Sequence, residues 1–403
     1  MRNLGCNLFT LTLIGLGNIG TFALDVLVRL PGLRRVILVD RDVCEMANTT
    51  SQRVSAADAI RRRPKVEVQA EHARRVRPGL NVIAHHQDIA DMPLGSLRAD
   101  LIIAGLDSLS ARLHANAAAW RLNVPWLDAG LDPSSGLVRV NGYTPSTQTP
   151  CMECTLDDED YASRLGTIHP CSMAGANEGS TNGSPATGAL AGALLTVAAN
   201  NFLNSAGAAE NLFGRQALWD AHHYQYFLSS YRRQPLCRFD HKVWAIGPLA
   251  GVDLETPLGE LFEAIRLASD IPAGSGFALG GQRFTERVMC PGCSHVREGW
   301  HLTGRLPLPD RRCPECGKRH LAAPGFSTLP LEPAAVPASV LAMPIGKLGF
   351  AWGDVLEVGG AAETKYWEIT PPVSCDPARG ETDETLEPKP VAENSPCDPN
   401  GSG

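Results

Sequence analysis

The stretch that most constrains this 403-residue chain is the apolar run Phe9-Thr-Leu-Thr-Leu-Ile14 and the turn after it, Gly15-Leu-Gly17-Asn-Ile-Gly20. The run reads as a buried strand, and the apolar spacing from Thr21 to Leu30, halted at Pro31-Gly32, reads as a helix. Val36-Ile-Leu-Val39 is the next strand. A strand, glycine turn and helix in this order present free backbone N–H groups and a positive helix end to an anion. Gly15 serves the tight turn, Gly17 the approach of phosphate to backbone, and Gly20 the close packing of helix on strand. Asp40 follows twenty residues after Gly20, the usual separation for a carboxylate that binds ribose hydroxyls. On this motif alone an NAD-dependent oxidoreductase is the default reading; a Walker-type NTPase is disfavoured because its lysine-containing loop is absent.

Further strands are expected at Asn81–Ala84, Asp100–Ala104 and Val124–Asp128, with helices at Pro64–Val76 and Ala111–Arg121 between them. Such alternation implies an α/β fold, with a mostly parallel sheet covered on both faces. Beyond Gly130 come hairpin-like stretches, and then a polar Gly/Ser/Asn-rich loop from Cys171 to Pro185 of the kind that is usually functional. The apolar stretch Ala186–Ala199 is short and glycine-broken and reads as a buried core helix rather than a membrane span. No signal peptide is expected. The net charge of -7 argues against nucleic-acid binding, and Arg61, Arg62 and Arg63 read as a solvated face. Twelve cysteines, several in Cys-x-x-Cys pairs, point to metal sites in a reducing compartment, hence a cytoplasmic protein.

Asp40-Arg-Asp42, Asn48, Gln52, Lys65 in the next helix and Asp107 at the end of a later strand add separated polar landmarks to the glycine turn. Together they resemble the ThiF/MoeB/E1 superfamily over about residues 9–205, and Gly105-Leu-Asp-Ser108 and Thr149-Pro-Cys-Met-Glu-Cys-Thr-Leu156 look most like the catalytic subunits of ubiquitin-activating E1 enzymes. The resemblance implies a Rossmann-like adenylation domain that uses ATP and Mg²⁺. Asp40, with Asp42 beside it, would hold the ribose, Lys65 the phosphates and Asp107 the Mg²⁺, while Asn48 and Gln52 would line the phosphates. Ser51 stands where the family has an arginine, so Arg53 is the candidate phosphate arginine. By the same resemblance Cys171, in His169-Pro-Cys-Ser, is the nucleophile that takes the activated acyl group as a thioester.

Cys290-Pro-Gly-Cys293 and Cys313-Pro-Glu-Cys316 form a zinc-ribbon pattern, expected to bind Zn²⁺ through four thiolates. Cys151 and Cys154 form another knuckle, which Cys237 and His241 are placed to complete as a Cys₃His site. The expected organisation is an adenylation domain over 1–241 with a catalytic-cysteine loop at 171–185, a small α+β module over 242–289, a zinc ribbon over 290–320, a C-terminal module over 321–370 and a disordered tail over 371–403. A compact chain of this kind resembles the E1-like proteins of bacterial ubiquitin-like conjugation systems, some linked to phage defence. Its implied partners are a ubiquitin-like protein ending in glycine, an E2-like enzyme and a second copy of itself. Two rivals remain beside the oxidoreductase: a sulfur-carrier adenylyltransferase with no thioester step, and a non-catalytic zinc-ribbon adaptor on a degenerate E1 fold.

Overall fold

The computed structural model describes residues 8–159, 161, 183–204, 211–280, 282–305, 312–318, 321–322, 327–328, 330–359 and 363–372. Cys171, His169 and the 371–403 tail, apart from its first two residues, lie outside that set.

An eight-stranded sheet forms the centre of the N-terminal part. Its strands are β1 (Phe9–Ile14), β2 (Leu33–Val39), β3 (Asn81–His85), β4 (Leu101–Ala104), β5 (Trp126–Asp132), β6 (Leu137–Tyr143), β7 (Arg215–Asp220) and β8 (Gln225–Ser230). They lie in the order β3-β2-β1-β4-β5-β6-β7-β8. The run from β3 to β5 is parallel, and β6, β7 and β8 continue it antiparallel. The wholly buried β1 and β4 sit side by side within its parallel run, covered on both faces, as parallel strands under helices must be.

Helices α1 (Asn18–Leu27), α2 (Ala56–Ile60), α3 (Lys65–Val76), α4 (Leu109–Leu122) and α5 (Pro185–Asn204) accompany this sheet. The core on one face joins Leu24, Leu27 and Val28 to Ala70, Ala73, Leu195 and Ala199; the core on the other joins Ile37, Ile102 and Trp126 to Ala115 and Ala119. The helix α5 is longer than the apolar run suggested. Its length and composition would let it cross a membrane, yet it packs closely along α1, where Gly192 meets the backbone of Phe22 and Ala23.

The described residues up to Thr370 form one compact unit with a second hydrophobic core downstream. That core unites Leu258, Leu261 and Ile265 of α6 (Leu258–Ser269) with Ile345, Leu348, Leu356 and Ile369. The residues read as two modules, 242–289 and 321–370, therefore share one interior. Their sheet is built the same way: β9 (Ile246–Pro248) runs parallel to β15 (Thr364–Glu368), which pairs with β14 (Val355–Gly359). The cysteine ribbon is an excursion from this core, carried by β10 (Phe284–Met289) and β11 (Val296–Leu302), and the short strands β12 (Leu321–Ala322) and β13 (Ser327–Thr328) pair with β10.

Candidate functional site

The parallel strand order reverses between β1 and β4, so the loops leaving their carboxyl ends diverge and leave a crevice. A cavity of about 620 Å³ lies there, within the usual range for a small-molecule site. Its glycine wall is specific in form. Gly15 has φ +85° and approaches Gly105 so closely that a β-carbon would stand 2.6 Å from the Gly105 carbonyl oxygen. At Gly20 a β-carbon would stand 1.9 Å from the Gly15 carbonyl oxygen, whereas at Gly17 it would meet nothing within 4 Å. Gly15 and Gly20 thus close the turn, and Gly17 leaves open space over the start of α1. No side chain caps that helix start, so its first N–H groups face the cavity unclaimed by a cap.

Asp40, buried at the end of β2, accepts hydrogen bonds from the Leu16 N–H at 2.6 Å and the Asp42 N–H at 2.7 Å. Its carboxylate therefore braces the glycine turn while still lining the cavity, and burial raises its pKa above the ordinary carboxylate value, with Lys65 opposing. Lys65, the first residue of α3, is 5% exposed and its Nζ lies 3.0 Å from Asp42 Oδ2. Asp107 stands exposed on the loop after β4 and lines the same cavity. Gln52 also lines the cavity, and its Oε1 is buried with no hydrogen-bond partner.

Two expectations need correction. Asn48 does not line the cavity: it is buried, and its Oδ1 accepts from the Glu45 N–H at 2.9 Å, capping the short turn Met46–Thr50. Arg53 does not face the cavity either. Its Nη1 lies 2.7 Å from Asp25 Oδ1 on α1, beside His72, and it lines a separate cleft. The one-residue offset after Gln52 turns it to the far side of the chain.

The arginines that do line the cavity are Arg41, Arg112 and Arg139. Arg112 is held firmly: its Nε donates to Asp128 Oδ1 at 2.9 Å, and its Nη2 to the Leu106 carbonyl at 2.6 Å. Asp128 is 1% exposed, and its other oxygen accepts from Asn141 Nδ2 at 3.2 Å. Sequence reasoning passed over Arg112, although its position one turn into the helix that follows Asp107 was a usable signal. Arg139 of β6 carries no such local signal, since only the antiparallel extension of the sheet brings it to the crevice.

The two cysteine groups also assemble. Cys151 Sγ lies 3.9 Å from Cys154 Sγ and 3.7 Å from Cys237 Sγ, and Cys154 Sγ lies 3.3 Å from His241 Nε2. In the second group Cys290 and Cys316 are 3.4 Å apart, and Cys293 and Cys313 3.6 Å. In each group the four ligand atoms fall within 4.8 Å of one another. Tetrahedral zinc with Zn–S bonds of ~2.3 Å separates sulfurs by about 3.8 Å, so both donor sets fit that metal. Burial and the neighbouring thiols push the Cys151 thiol well above the ordinary range, and a bound cation is what would hold such thiols as thiolates. His241 adopts φ +54°, a conformation that a residue with a β-carbon keeps only where the surroundings fix it. Here Trp120 and Phe239 pack edge-on against its ring.

The family model described as ThiF family matches residues 8–252. The NEDD8-activating enzyme E1 catalytic subunit of Saccharomyces cerevisiae is 29% identical over 170 residues, 40% of this chain and 55% of that protein. SUMO-activating enzyme subunit 2 of Dictyostelium discoideum is 29% identical over 144 residues, 35% of this chain and 21% of that protein. The match thus spans about half of the first relative and about a fifth of the second. Among solved structures, E. coli MccB with ATP aligns with a TM-score of 0.45 at 20% identity, covering 57% of this chain and 65% of that one. With the family model spanning more than half of its residues, the chain belongs to the ThiF family.

Proposed function

We propose that this protein is an ATP-dependent activating enzyme of the E1 type that adenylates the C-terminal glycine of a ubiquitin-like protein. One observation carries the reading: the open glycine turn, Asp40, Lys65 and Asp107 converge on one cavity at the crevice of a ThiF-family sheet. In the reaction a carboxylate oxygen of the partner attacks the α-phosphorus, the bond to the pyrophosphate leaving group breaks, and negative charge gathers on the phosphate oxygens. Fixed cations lower the cost of that charge. Lys65 and Arg112 are such cations, and the uncapped start of α1 adds backbone donors. Asp107 would hold Mg²⁺, whose chemistry when bound is to neutralise phosphate charge.

Likeness to NEDD8- and SUMO-activating subunits favours a ubiquitin-like partner over a sulfur carrier. Cys171 then takes the acyl group: its thiolate attacks the acyl carbon, AMP leaves, and a thioester remains for an E2-type cysteine. Zn²⁺ in the two cysteine groups would be structural, and the ribbon would serve partner recruitment. We place the enzyme in the cytoplasm, as a homodimer. ATP–pyrophosphate exchange driven by small proteins ending in glycine tests the first step. A reductant-labile adduct, absent from Cys171→Ala, tests the second. Exchange that persists without any such adduct would return the protein to the sulfur-carrier class. No exchange together with NAD binding would restore the oxidoreductase.

A further inference from the structure

Every residue that lines the nucleotide cavity belongs to the N-terminal part, yet the C-terminal part reaches the backbone behind one of its walls. One of its walls is the segment that follows β3, where Gln87, Asp88 and Ile89 line the crevice. Gln87 is tied to the ribose-side carboxylate strand, its N–H donating to the Asp40 carbonyl at 3.2 Å. Its side chain turns back on its own segment, Nε2 donating to the Asp91 carbonyl at 2.7 Å. That same carbonyl accepts a second bond, 2.7 Å from Nε of Arg305, which lies beyond β11 in the C-terminal part.

Arg305 is itself fixed. Its Nη1 lies 2.7 Å from Asp354 Oδ2, and the two side chains are 7% and 2% exposed. Asp354 also accepts from the Ala351 N–H at 2.8 Å. Beside it, Gly304 lies against the Asp91 carboxylate, where an added β-carbon would stand 1.6 Å from Oδ1 and that side chain would have to move. A charged guanidinium buried at a boundary between two parts of a chain is costly unless it is paired and hydrogen-bonded, and Arg305 is both. Here it fixes one oxygen, and that oxygen orients a cavity-lining side chain.

We propose that Arg305 is a positioning residue for the nucleotide site: through the Asp91 carbonyl it sets Gln87 and with it the wall of the cavity, so the C-terminal part takes part in binding nucleotide. The inference rests on the nucleotide reading above. By linkage, a partner that displaces the segment carrying Arg305 weakens nucleotide binding, and nucleotide weakens that partner equally.

The test is calorimetric titration of ATP·Mg²⁺ into the full chain, alongside pyrophosphate exchange at saturating nucleotide. Arg305→Met is expected to raise the ATP Kd about tenfold, the loss of one charge-assisted hydrogen bond, and to leave saturated exchange within about twofold. Arg98→Ala removes another ion pair of the same boundary, Arg98 to Glu368 at 2.7 Å, away from the cavity wall, and is expected to leave the Kd unchanged. In a double-mutant cycle, Gln87→Leu added to Arg305→Met should cost less than the two single losses combined, since both act on one oxygen. If Arg305→Met does not fold, Asp354→Asn replaces it, with a Kd rise of about threefold from a less restrained guanidinium. A folded Arg305→Met or Asp354→Asn with unchanged Kd overturns the inference, as does an equal rise in Arg98→Ala. Wild-type protein that binds no ATP overturns the nucleotide reading and this inference with it.

Discussion

Replacing Asp40 by asparagine changes one atom in the glycine turn, and its cost can be worked from the geometry. The two carboxylate oxygens accept from Leu16 N–H at 2.6 Å and Asp42 N–H at 2.7 Å. An asparagine supplies one oxygen and one NH₂ group, so one of these buried N–H donors would face another donor. Stranding it costs about 1–3 kcal/mol, and converting the surviving bond from charged to neutral costs about 1 kcal/mol more. Against this, removing the charge relieves its desolvation, the leading cause of its raised pKa. The balance is a loss of about 2 kcal/mol. In thermal unfolding of a unit this large it appears as a drop of about 2–3 °C in midpoint. The same substitution at Asp107, on an exposed loop, is expected to change stability by less than about 0.5 kcal/mol. Adenylation should fail in both variants, for different reasons. An Asp40→Asn protein as stable as wild type would refute the bracing role, and with it the account of how the turn is held open.

Asp128→Ala leaves the Arg112 guanidinium without its buried partner and should cost about 3–5 kcal/mol in urea unfolding; a loss below about 1 kcal/mol would mean that the pair is replaced by solvent. Elemental analysis should find two zinc ions per chain, one lost in Cys237→Ser and the other in Cys313→Ser, and a Cys237→Ser protein with full zinc would break the Cys₃His assignment. Asp132, on the cavity rim, accepts from the hydroxyls of Ser134 and Ser135, which pull its carboxyl down to about 2. A lowered carboxyl pKa adds stability above its unfolded value of about 4 that is lost as pH falls through about 2. In a carboxyl NMR titration the Ser134→Ala, Ser135→Ala double variant should bring the midpoint back up toward the ordinary value, and an unmoved midpoint would refute the hydroxyl cause.

Local chemistry explains what was readable in advance. The glycine turn, Asp40, Lys65 and Asp107 are legible because each sits at the end or start of an element whose periodicity is strong, so sequence spacing converts directly into position. Cys237 and His241 were legible because metal ligands come in short knuckles, although their meeting with Cys151 and Cys154 is a tertiary event. Arg53 misled because it sits in the bend after the 3₁₀ turn Met46–Thr50, where no periodicity fixes side-chain direction, and Asp25 offers it a partner on the wrong side. Arg139 was invisible because its place depends on how far the antiparallel strands extend the sheet. The division into modules at 289 and 321 follows the cysteine knuckles of the ribbon, whereas the second core follows long-range packing that no local window contains. Cys171 lies outside the described residues, so its reading still rests on its sequence context.

The pairing of β9 with β15 has a consequence in time. Ile246 and Tyr366, partners in that parallel ladder, are separated by about 120 residues. At about 5–20 residues per second, a ribosome needs roughly 6–24 s to deliver the second strand after the first. Throughout that interval the sheet of the N-terminal part and all four ligands of the Cys₃His group are already synthesised, while the segment from Ile246 onward has no partner strand. The order of birth would therefore let the Cys₃His group assemble, and take up a metal if it binds one, before the second core closes. It also leaves the nascent chain with an unpaired β9 for as long as the cysteine ribbon takes to emerge.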